Sequence, residues 1–468
     1  MLQLKKEQFR QQIRRQRLDA HLMQARRHML SITQTHQNEL HINSNGSPPK
    51  PDQIFITKDI ASIMSTIFNS ELTNSSLEQL QQIVDSSEQE ELENTFVQYF
   101  LGQRLLQAYE KEQDLNQITE LQYIIGSIAK KSQICKCRLL ELNTFQSALK
   151  VLNFEIEYDD YCMLSLVYLI TIFVESDAHS YSDQNKLLLL TILEKLCKKL
   201  VLINYMDMDI ESEEETSNEV QHSLLSQIFY FLSCFIQNSQ FAFNITHYQN
   251  IWKIVQQTAF VLQDASSLRL NALQVLAEIS KQSDKQKLSI LQKSPQILFQ
   301  LVEVLEFHIA YNSINNCIRL QASLTLKNLV SIKNCQIMND IHSNKIPINF
   351  LEIVKLEEHQ KVLYHQIEAF YYICDQSTLE DCLEIYENGL MSLIVSNFQE
   401  IKDTNNFALC KSLLKLTYAI MKHSEFEQKL SDYFRQYNLL QFLNDIGVQS
   451  QNQNIIKRAT KILNYFNN

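Results

Sequence analysis

The chain has 468 residues, of which 45% are hydrophobic and 20% charged, a balance typical of a folded protein. It contains only five glycines and five prolines, whereas ordinary usage would give about thirty glycines. No two glycines are close enough for a dinucleotide-binding G-x-G-x-x-G motif or a phosphate-binding P-loop. An all-β fold would also need glycine at its hairpin turns. The composition therefore predicts an all-α protein.

The first thirty residues are basic, although the whole chain has a net charge of −11. Eight basic and two acidic residues give this segment a net charge of +6, which leaves −17 for the rest. It has no Gly or Pro from Lys5 to Leu30 and repeats apolar residues every three to five positions, which predicts a helical arm over 1–30. A basic tail, a nucleic-acid-binding arm and a membrane-surface helix are alternatives for this pattern.

A polar segment follows the arm and separates it from the rest of the chain. Residues 31–53 contain Asn45-Gly46 and three of the five prolines, which predicts a flexible tether. We expect the folded body to begin at Ile54. Because that body is acidic, we expect no nucleic acid to bind along its length.

Eight segments of the body resemble one another, since each is an amphipathic helix that ends in a polar run. One equivalent apolar position in each lies 44 to 50 residues from the next, apart from one interval of 63. That interval contains the acidic stretch 206–221, with seven acidic and no basic residues, which we interpret as an inserted loop. The equivalent positions are Ile125, Leu169, Leu232, Leu276, Leu326, Phe370, Leu416 and Ile462.

An all-helical repeat of about 40–47 residues is typical of armadillo and HEAT proteins. Each unit of such a fold buries its helices against the next unit. We therefore predict a right-handed armadillo-repeat superhelical solenoid, with eight or nine units over 54–468.

Catalytic and metal-binding motifs are absent from the sequence, so we do not predict an enzyme or a cofactor. Cys135 and Cys137 could supply two metal ligands, but neither a second cysteine pair nor a nearby histidine completes four ligands, which argues against a metal site. The ten scattered cysteines and the lack of a signal sequence predict a reducing, intracellular location. The apolar stretch 164–173 is too short to cross a bilayer, so no membrane insertion is expected.

The arm, the tether and the repeats together resemble the importin-α family, the armadillo-repeat adaptors of nuclear import. Arg14-Arg15-Gln16-Arg17-Leu18-Asp19 is similar to the basic core of that family's importin-β-binding segment, and Arg26-Arg27 to its second basic cluster. LQYIIGSIAKKSQ from Leu121 resembles the family's W-A-L-x-N-I-A signature, and residues 437–466 resemble its last repeat. The resemblance implies that importin-β and basic nuclear-localisation peptides are partners, in the cytoplasm and the nucleus. The implied importin-β contacts are Arg14, Arg15, Arg17, Arg26 and Arg27.

The ladder of Trp and Asn with which that family binds cargo is largely missing. The Trp positions hold Tyr123, Val167, Tyr230, Gln274, Leu324, Glu368 and Leu414. The Asn positions hold Ser127, Thr171, Cys234, Glu278, Asn328, Tyr372 and Tyr418. The resemblance implies cargo contacts at Tyr123, Ser127, Tyr230 and Asn328.

Two functions follow from these patterns. One is a nuclear import adaptor that binds importin-β through the arm and cargo on the repeats. The other is an armadillo-repeat scaffold for other proteins, without a transport role, which accounts directly for the missing ladder. An enzyme is a more distant third alternative.

Overall fold

A computed structural model describes residues 73–153, 158–177, 182–202, 215–239, 247–260, 266–308, 313–404, 407–450 and 452–467. The chain divides into two units, 1–83 and 84–468, and the first is described only from residue 73. Within the described ranges the regular structure is helical and contains no strand. The predicted all-α class is therefore confirmed.

The helices of the first half vary in length from 9 to 25 residues. They are α1 Asn74–Ser86, α2 Gln89–Gln98, α3 Leu101–Lys111, α4 Leu115–Lys131, α5 Gln133–Glu141, α6 Thr144–Leu152, α7 Asp160–Asp177, α8 Asp183–Leu202, α9 Glu215–Ser239, α10 Gln249–Phe260 and α11 Ser266–Ser280. Helix α9 begins inside the stretch 206–221 that we interpreted as a loop, so residues 215–221 are helical. Residues 203–214 lie outside the described ranges.

The second half continues in the same manner. Its helices are α12 Asp284–Lys293, α13 Ile297–Phe307, α14 Ser313–Val330, α15 Cys335–Ser343, α16 Ile346–Lys355, α17 Gln360–Gln376, α18 Leu379–Ile385, α19 Met391–Thr404, α20 Phe407–Met421, α21 Glu427–Gln436, α22 Leu439–Gln449 and α23 Gln453–Asn467. A π-helical turn, Tyr386–Leu390, joins α18 to α19, and a 3-10 turn, Ser424–Phe426, precedes α21.

The long helices pack on one another in chain order. Each of them contacts the next. Six of them are preceded by two shorter helices, of which we call the second the middle helix. The eight amphipathic segments recognised in the sequence fall one in each of these helices, which we call the long-helix layer: α4, α7, α9, α11, α14, α17, α20 and α23. This packing of neighbouring helices is consistent with an α-solenoid. The right-handed armadillo superhelix stays a prediction.

The equivalent apolar positions lie in the core of this layer. All eight side chains are at most 1% exposed: Ile125, Leu169, Leu232, Leu276, Leu326, Phe370, Leu416 and Ile462. Burying a side chain of this size stabilises a fold by about 1.5–3 kcal/mol. A repeated position that was chosen from the sequence alone is therefore a repeated core position.

Polar side chains cap the N-termini of several helices in this chain, which contains few glycines and prolines. Asp114 accepts hydrogen bonds from two backbone N–H groups at the start of α4, and Ser132 caps α5. Asn334 caps α15, and Thr378 forms a reciprocal capping box with Asp381 at α18. Such caps satisfy N–H groups that have no partner within the helix. Capping residues thus set the helix boundaries in a chain with few helix-breaking residues.

The corner before the middle helix of a repeat has an unusual backbone. Phe100, Asn143, Lys345 and Asn438 each immediately precede a middle helix and have φ between 52° and 61°, in the left-handed region. Gly389 occupies the corresponding corner before α19, with φ of 102°. Only glycine adopts this region without steric strain. The turn geometry therefore repeats even where glycine does not.

A buried ion pair links neighbouring repeats in the second half of the chain. Arg319 of α14 donates to both carboxylate oxygens of Glu357, at 2.9 and 3.0 Å, and both side chains are 1% exposed. Arg319 also donates to the His308 carbonyl oxygen at 2.6 Å. Arg269 Nη1 lies 2.7 Å from His308 Nε2, which must accept because guanidinium can only donate. Helices α11, α13, α14 and the α16–α17 connection are thus joined by polar contacts.

We expect Arg319→Ala to lower the free energy of unfolding by about 3–5 kcal/mol, because Glu357 would be left buried without its counter-ion. Urea unfolding followed by circular dichroism measures the change. The matched control is Arg435→Ala, whose ion pair with Asp432 is more than half exposed on both sides, and it should cost at most about 1 kcal/mol. Equal stability of the two variants would contradict a structural role for the buried pair.

Candidate protein-binding surface

The solvent-exposed face of the long-helix layer carries a row of half-exposed aromatic residues. Near the start of the layer, the Tyr123 ring of α4 stacks on the Tyr168 ring of α7, with centroids 5.8 Å apart and planes within 16°. Tyr230 of α9 is half-exposed and lies within hydrogen-bonding range of Glu175 of α7. These rings therefore extend across three successive long helices.

Carboxylates surround these three rings. Asp85 and Glu120 act on Tyr123, and Asp85 and Glu175 act on Tyr168, in each case adding to the effect of burial, which raises the tyrosine pKa. For Tyr168 the pKa is raised to about 12. Because both tyrosines share Asp85 as a neighbour, the rings and the carboxylates form one surface. We call it the N-terminal patch: Asp85, Glu120, Tyr123, Tyr168, Glu175 and Tyr230.

One lysine lies beside this patch and is already bound. Lys131 Nζ donates to the carbonyl oxygens of Val84 and Asp85, at 2.5 and 2.6 Å, and to that of Ser87 at 3.3 Å. Its ammonium thus satisfies carbonyl groups at the end of α1, which have no partner within the helix.

The four predicted cargo contacts do not lie in equivalent environments. Tyr123 and Tyr230 are half-exposed, whereas Ser127 is only 8% exposed. Asn328 is partly buried and its amide donates to Ser280 Oγ at 3.0 Å. The two tyrosines are therefore accessible to a ligand, and the Ser127 and Asn328 side chains are directed largely into the protein.

Several other ladder positions are core positions. Val167, Thr171 and Leu414 are at most 1% exposed. Tyr168, one residue after Val167, is the aromatic side chain that reaches the surface of α7. It lies 45 residues after Tyr123, and this spacing is the signal in the sequence that could have identified it. Asp85 and Glu175 carried no such signal.

Towards the end of the layer, the protein's own lysines occupy the positions that a basic ligand would use. Glu368 of α17 is 7% exposed and binds Lys415 at 2.8 Å and Lys327 at 3.5 Å. Lys415 also lies over the Tyr371 ring, at 5.5 Å from its centroid. Lys461 lies over the Tyr418 ring at 5.2 Å. The two ends of the long-helix layer thus differ. Carboxylates surround the tyrosines at the first end, whereas the protein's own lysines lie over the tyrosines at the other end.

The five predicted importin-β contacts all lie outside the described residues, in the segment 1–72. They are Arg14, Arg15, Arg17, Arg26 and Arg27. The tether 31–53 and the predicted start of the body at Ile54 lie in the same segment.

The cysteines form no disulfide bonds. Cys135 is buried and Cys137 is exposed, although both belong to α5. Among the residues that the structure describes, no three His, Cys, Asp or Glu side chains are grouped so as to hold a metal ion. In the same part of the chain, none of the helices combines the length and the apolar character that a membrane span requires.

No protein-family model and no curated protein matches the chain. A crystal structure of an engineered protein is similar to it, with a TM-score of 0.54 and 12% sequence identity. The match covers 88% of this chain and 99% of the engineered one. At this identity the similarity concerns the fold alone, and it supports a helical architecture that extends over most of the chain.

Burial makes the stability of the layer sensitive to acid. Burial lowers the pKa of His365 to about 4, with a further contribution from the charges of Lys327 and Lys281 and an opposing one from Glu368. His365 Nδ1 is buried without a hydrogen-bond partner among the described residues. The folded protein therefore favours neutral His365. The stability that this provides is present above the ordinary histidine pKa of about 6.5 and is lost as the pH falls towards 4.

We expect His365→Gln to reduce the loss of stability between about pH 7 and about pH 5, because glutamine does not titrate. Urea midpoints at the two pH values measure the change. The control is His247→Gln, since His247 is exposed, and it should leave the pH dependence as it is. Some dependence should persist because burial also lowers the pKa of His222, His308 and His342. An unaltered difference in the His365 variant would contradict the assignment.

Proposed function

We propose that this protein is an armadillo-type adaptor that binds a basic segment of a partner protein on the N-terminal patch. The observation that carries the proposal is the placement of three half-exposed tyrosines on consecutive long helices, together with three carboxylates, of which Glu120 and Glu175 lie on the same helices and Asp85 lies at the end of α1. Solenoid proteins bind extended peptides on such continuous surfaces. The acidic body and the sequence resemblance to importin-α support the same interpretation, with a nuclear-localisation peptide as the cargo.

The chemistry of the patch suits lysine and arginine. Their aliphatic stems pack on tyrosine rings, and their charged ends are attracted to the ring faces and to carboxylates. Glu175 lies beside Tyr168 and Tyr230 and can pair with one basic residue, while Asp85 lies beside Tyr123 and can pair with another. Attraction to several carboxylates also accelerates association at low salt.

The second part of the proposal concerns the basic arm. Arg14, Arg15, Arg17, Arg26 and Arg27 would form charge-assisted contacts with acidic residues of importin-β. Arginine is suited to this because its planar guanidinium can bind a carboxylate with two hydrogen bonds. Binding at both ends would make the protein a transport adaptor that acts in the cytoplasm and the nucleus.

A scaffold without a transport role is the alternative. It is favoured by the end of the layer, where Lys415 and Lys461 already lie over Tyr371 and Tyr418. A basic cargo that extended along the whole layer would have to displace these lysines. Partners of other chemistry would then bind there, and the arm would be a solvated tail.

Charge reversal in the arm tests the transport role. We expect Arg14→Glu with Arg15→Glu to abolish binding of purified importin-β in a titration, as should a chain that begins at Ile54. The control is Lys5→Glu with Lys6→Glu, which makes the same change in charge within the arm but outside the Arg14–Arg17 core, and should reduce affinity less. Undiminished binding by the Arg14 and Arg15 variant would exclude this role and favour the scaffold.

Charge reversal in the N-terminal patch tests cargo binding. We expect Glu175→Lys to weaken binding of a fluorescein-labelled peptide of consecutive lysines and arginines at least about tenfold, because it replaces attraction by repulsion. Fluorescence anisotropy with the full chain measures the affinity. Glu141→Lys, at an exposed position of α5, is the matched control and should change it little. Equal affinities of the two variants would place any basic-peptide site elsewhere.

A further inference from the structure

The last long helix carries an arginine that lacks an acceptor. Arg458 of α23 has its Nη1 atom buried, and within the described ranges no hydrogen-bond partner lies near it. A guanidinium carries five N–H donors and no acceptor, and a buried donor without a partner costs free energy. Arg458 as a whole is half-exposed, so another molecule that brings an acceptor can reach its side chain.

Further positive charge lies on the same side of the helix. Lys461 follows Arg458 after three residues, so the two side chains are neighbours on one face. Lys461 is exposed and lies over the Tyr418 ring of α20. Burial raises the pKa of Tyr371, as do the charges of Asp375 and Glu368, whereas the charges of Arg458 and Lys422 oppose that effect. Arg458 therefore lies near the Tyr371 ring of α17, beside carboxylates that have lysine partners of their own.

The neighbouring lysines have carboxylate partners, whereas these two residues have none. Lys415 and Lys327 share Glu368, and Lys422 pairs with Asp375. Among the described residues, neither Arg458 nor Lys461 forms an ion pair or a hydrogen bond through its side chain. Two positive charges therefore stay uncompensated at this end of a protein whose net charge is −11.

Aromatic rings complete this surface. Tyr418 contacts Tyr465 of α23 edge to face, with centroids 6.2 Å apart, and Tyr465 is 41% exposed. Tyr371 and Tyr372 lie side by side on α17, with centroids 5.0 Å apart. We call this surface the C-terminal patch: Tyr371, Tyr372, Tyr418, Arg458, Lys461 and Tyr465. It combines apolar rings with hydroxyl groups and two cations.

We propose that the C-terminal patch binds an acidic segment of a partner protein. A carboxylate of that segment accepts hydrogen bonds from Arg458, a second one pairs with Lys461, and an aromatic or apolar side chain between them packs on Tyr418 and Tyr465. Charge complementarity selects this occupant over a basic segment, which the two cations repel. The proposal does not depend on the N-terminal patch, whose charge is opposite.

The test uses the full chain and a fluorescein-labelled peptide of alternating glutamate and aspartate with one central tryptophan. We expect saturable binding by fluorescence anisotropy, and a loss of affinity of at least about tenfold in Arg458→Ala and in Lys461→Ala. The matched control is Lys253→Ala, because Lys253 is an exposed cation of α10, outside the C-terminal patch, and it should change affinity less than about twofold. Because each variant removes one positive charge, a smaller effect of the control distinguishes local contacts from general electrostatic attraction.

Several outcomes would overturn the proposal. They are the absence of saturable binding, unchanged affinity in Lys461→Ala, and an equal loss in Lys253→Ala. Lys461→Ala changes an exposed side chain, so it tests the patch even if Arg458→Ala does not fold, which circular dichroism would show. Concentration-dependent self-association that Lys461→Ala abolishes, without peptide binding, would identify a second copy of this chain as the occupant instead. Glu175→Lys should leave acidic-peptide binding unchanged, which separates this test from that of the N-terminal patch.

Discussion

Each helix of the long-helix layer packs against its neighbours in that layer, and the rest of the described structure depends on that constraint. Ile125 and Leu326 are fully buried in a layer in which each helix packs against the next. A repeat of a solenoid cannot bury its apolar face alone. The short and middle helices supply the remaining contacts, and the Arg319–Glu357 pair adds a polar link between units where the core would otherwise be apolar. The long-helix layer therefore has one buried face and one exposed face, and the residue types on the exposed face are free to vary.

That freedom accounts for the difference between the two ends of the layer. At the first end, Tyr123, Tyr168 and Tyr230 lie among carboxylates, and the adjacent Lys131 is held by backbone carbonyl groups. At the other end, tyrosines of similar exposure lie under lysines. The same architecture thus presents aromatic rings in different charge environments, and the two proposed binding sites rest on this difference.

The sequence predicted the repeated core well, because one apolar position recurs at a nearly constant interval and the helices that carry it are long. It predicted the surface less well. A shift of one residue turns a side chain by about 100° around a helix, so aligning Val167 with Tyr123 selected a core residue and passed over Tyr168. Residues far apart in sequence gave no pattern at all, as Arg319 and Glu357 show. The start of α9 at Glu215 was missed because an acidic run suggests a loop, although acidic residues also favour the beginning of a helix.

The left-handed corners before the middle helices show what the repeat requires of the chain. Of the five such corners in the described ranges, one contains glycine, while phenylalanine, lysine and two asparagines adopt a left-handed backbone conformation in the others. A left-handed conformation costs a residue with a side chain about 1–2 kcal/mol, and the packing on either side of each corner must supply it. The backbone conformation at these corners therefore repeats, although the residue type does not. Two chains can share this path while their aligned residues differ almost everywhere, as in the match to the engineered protein at 12% identity.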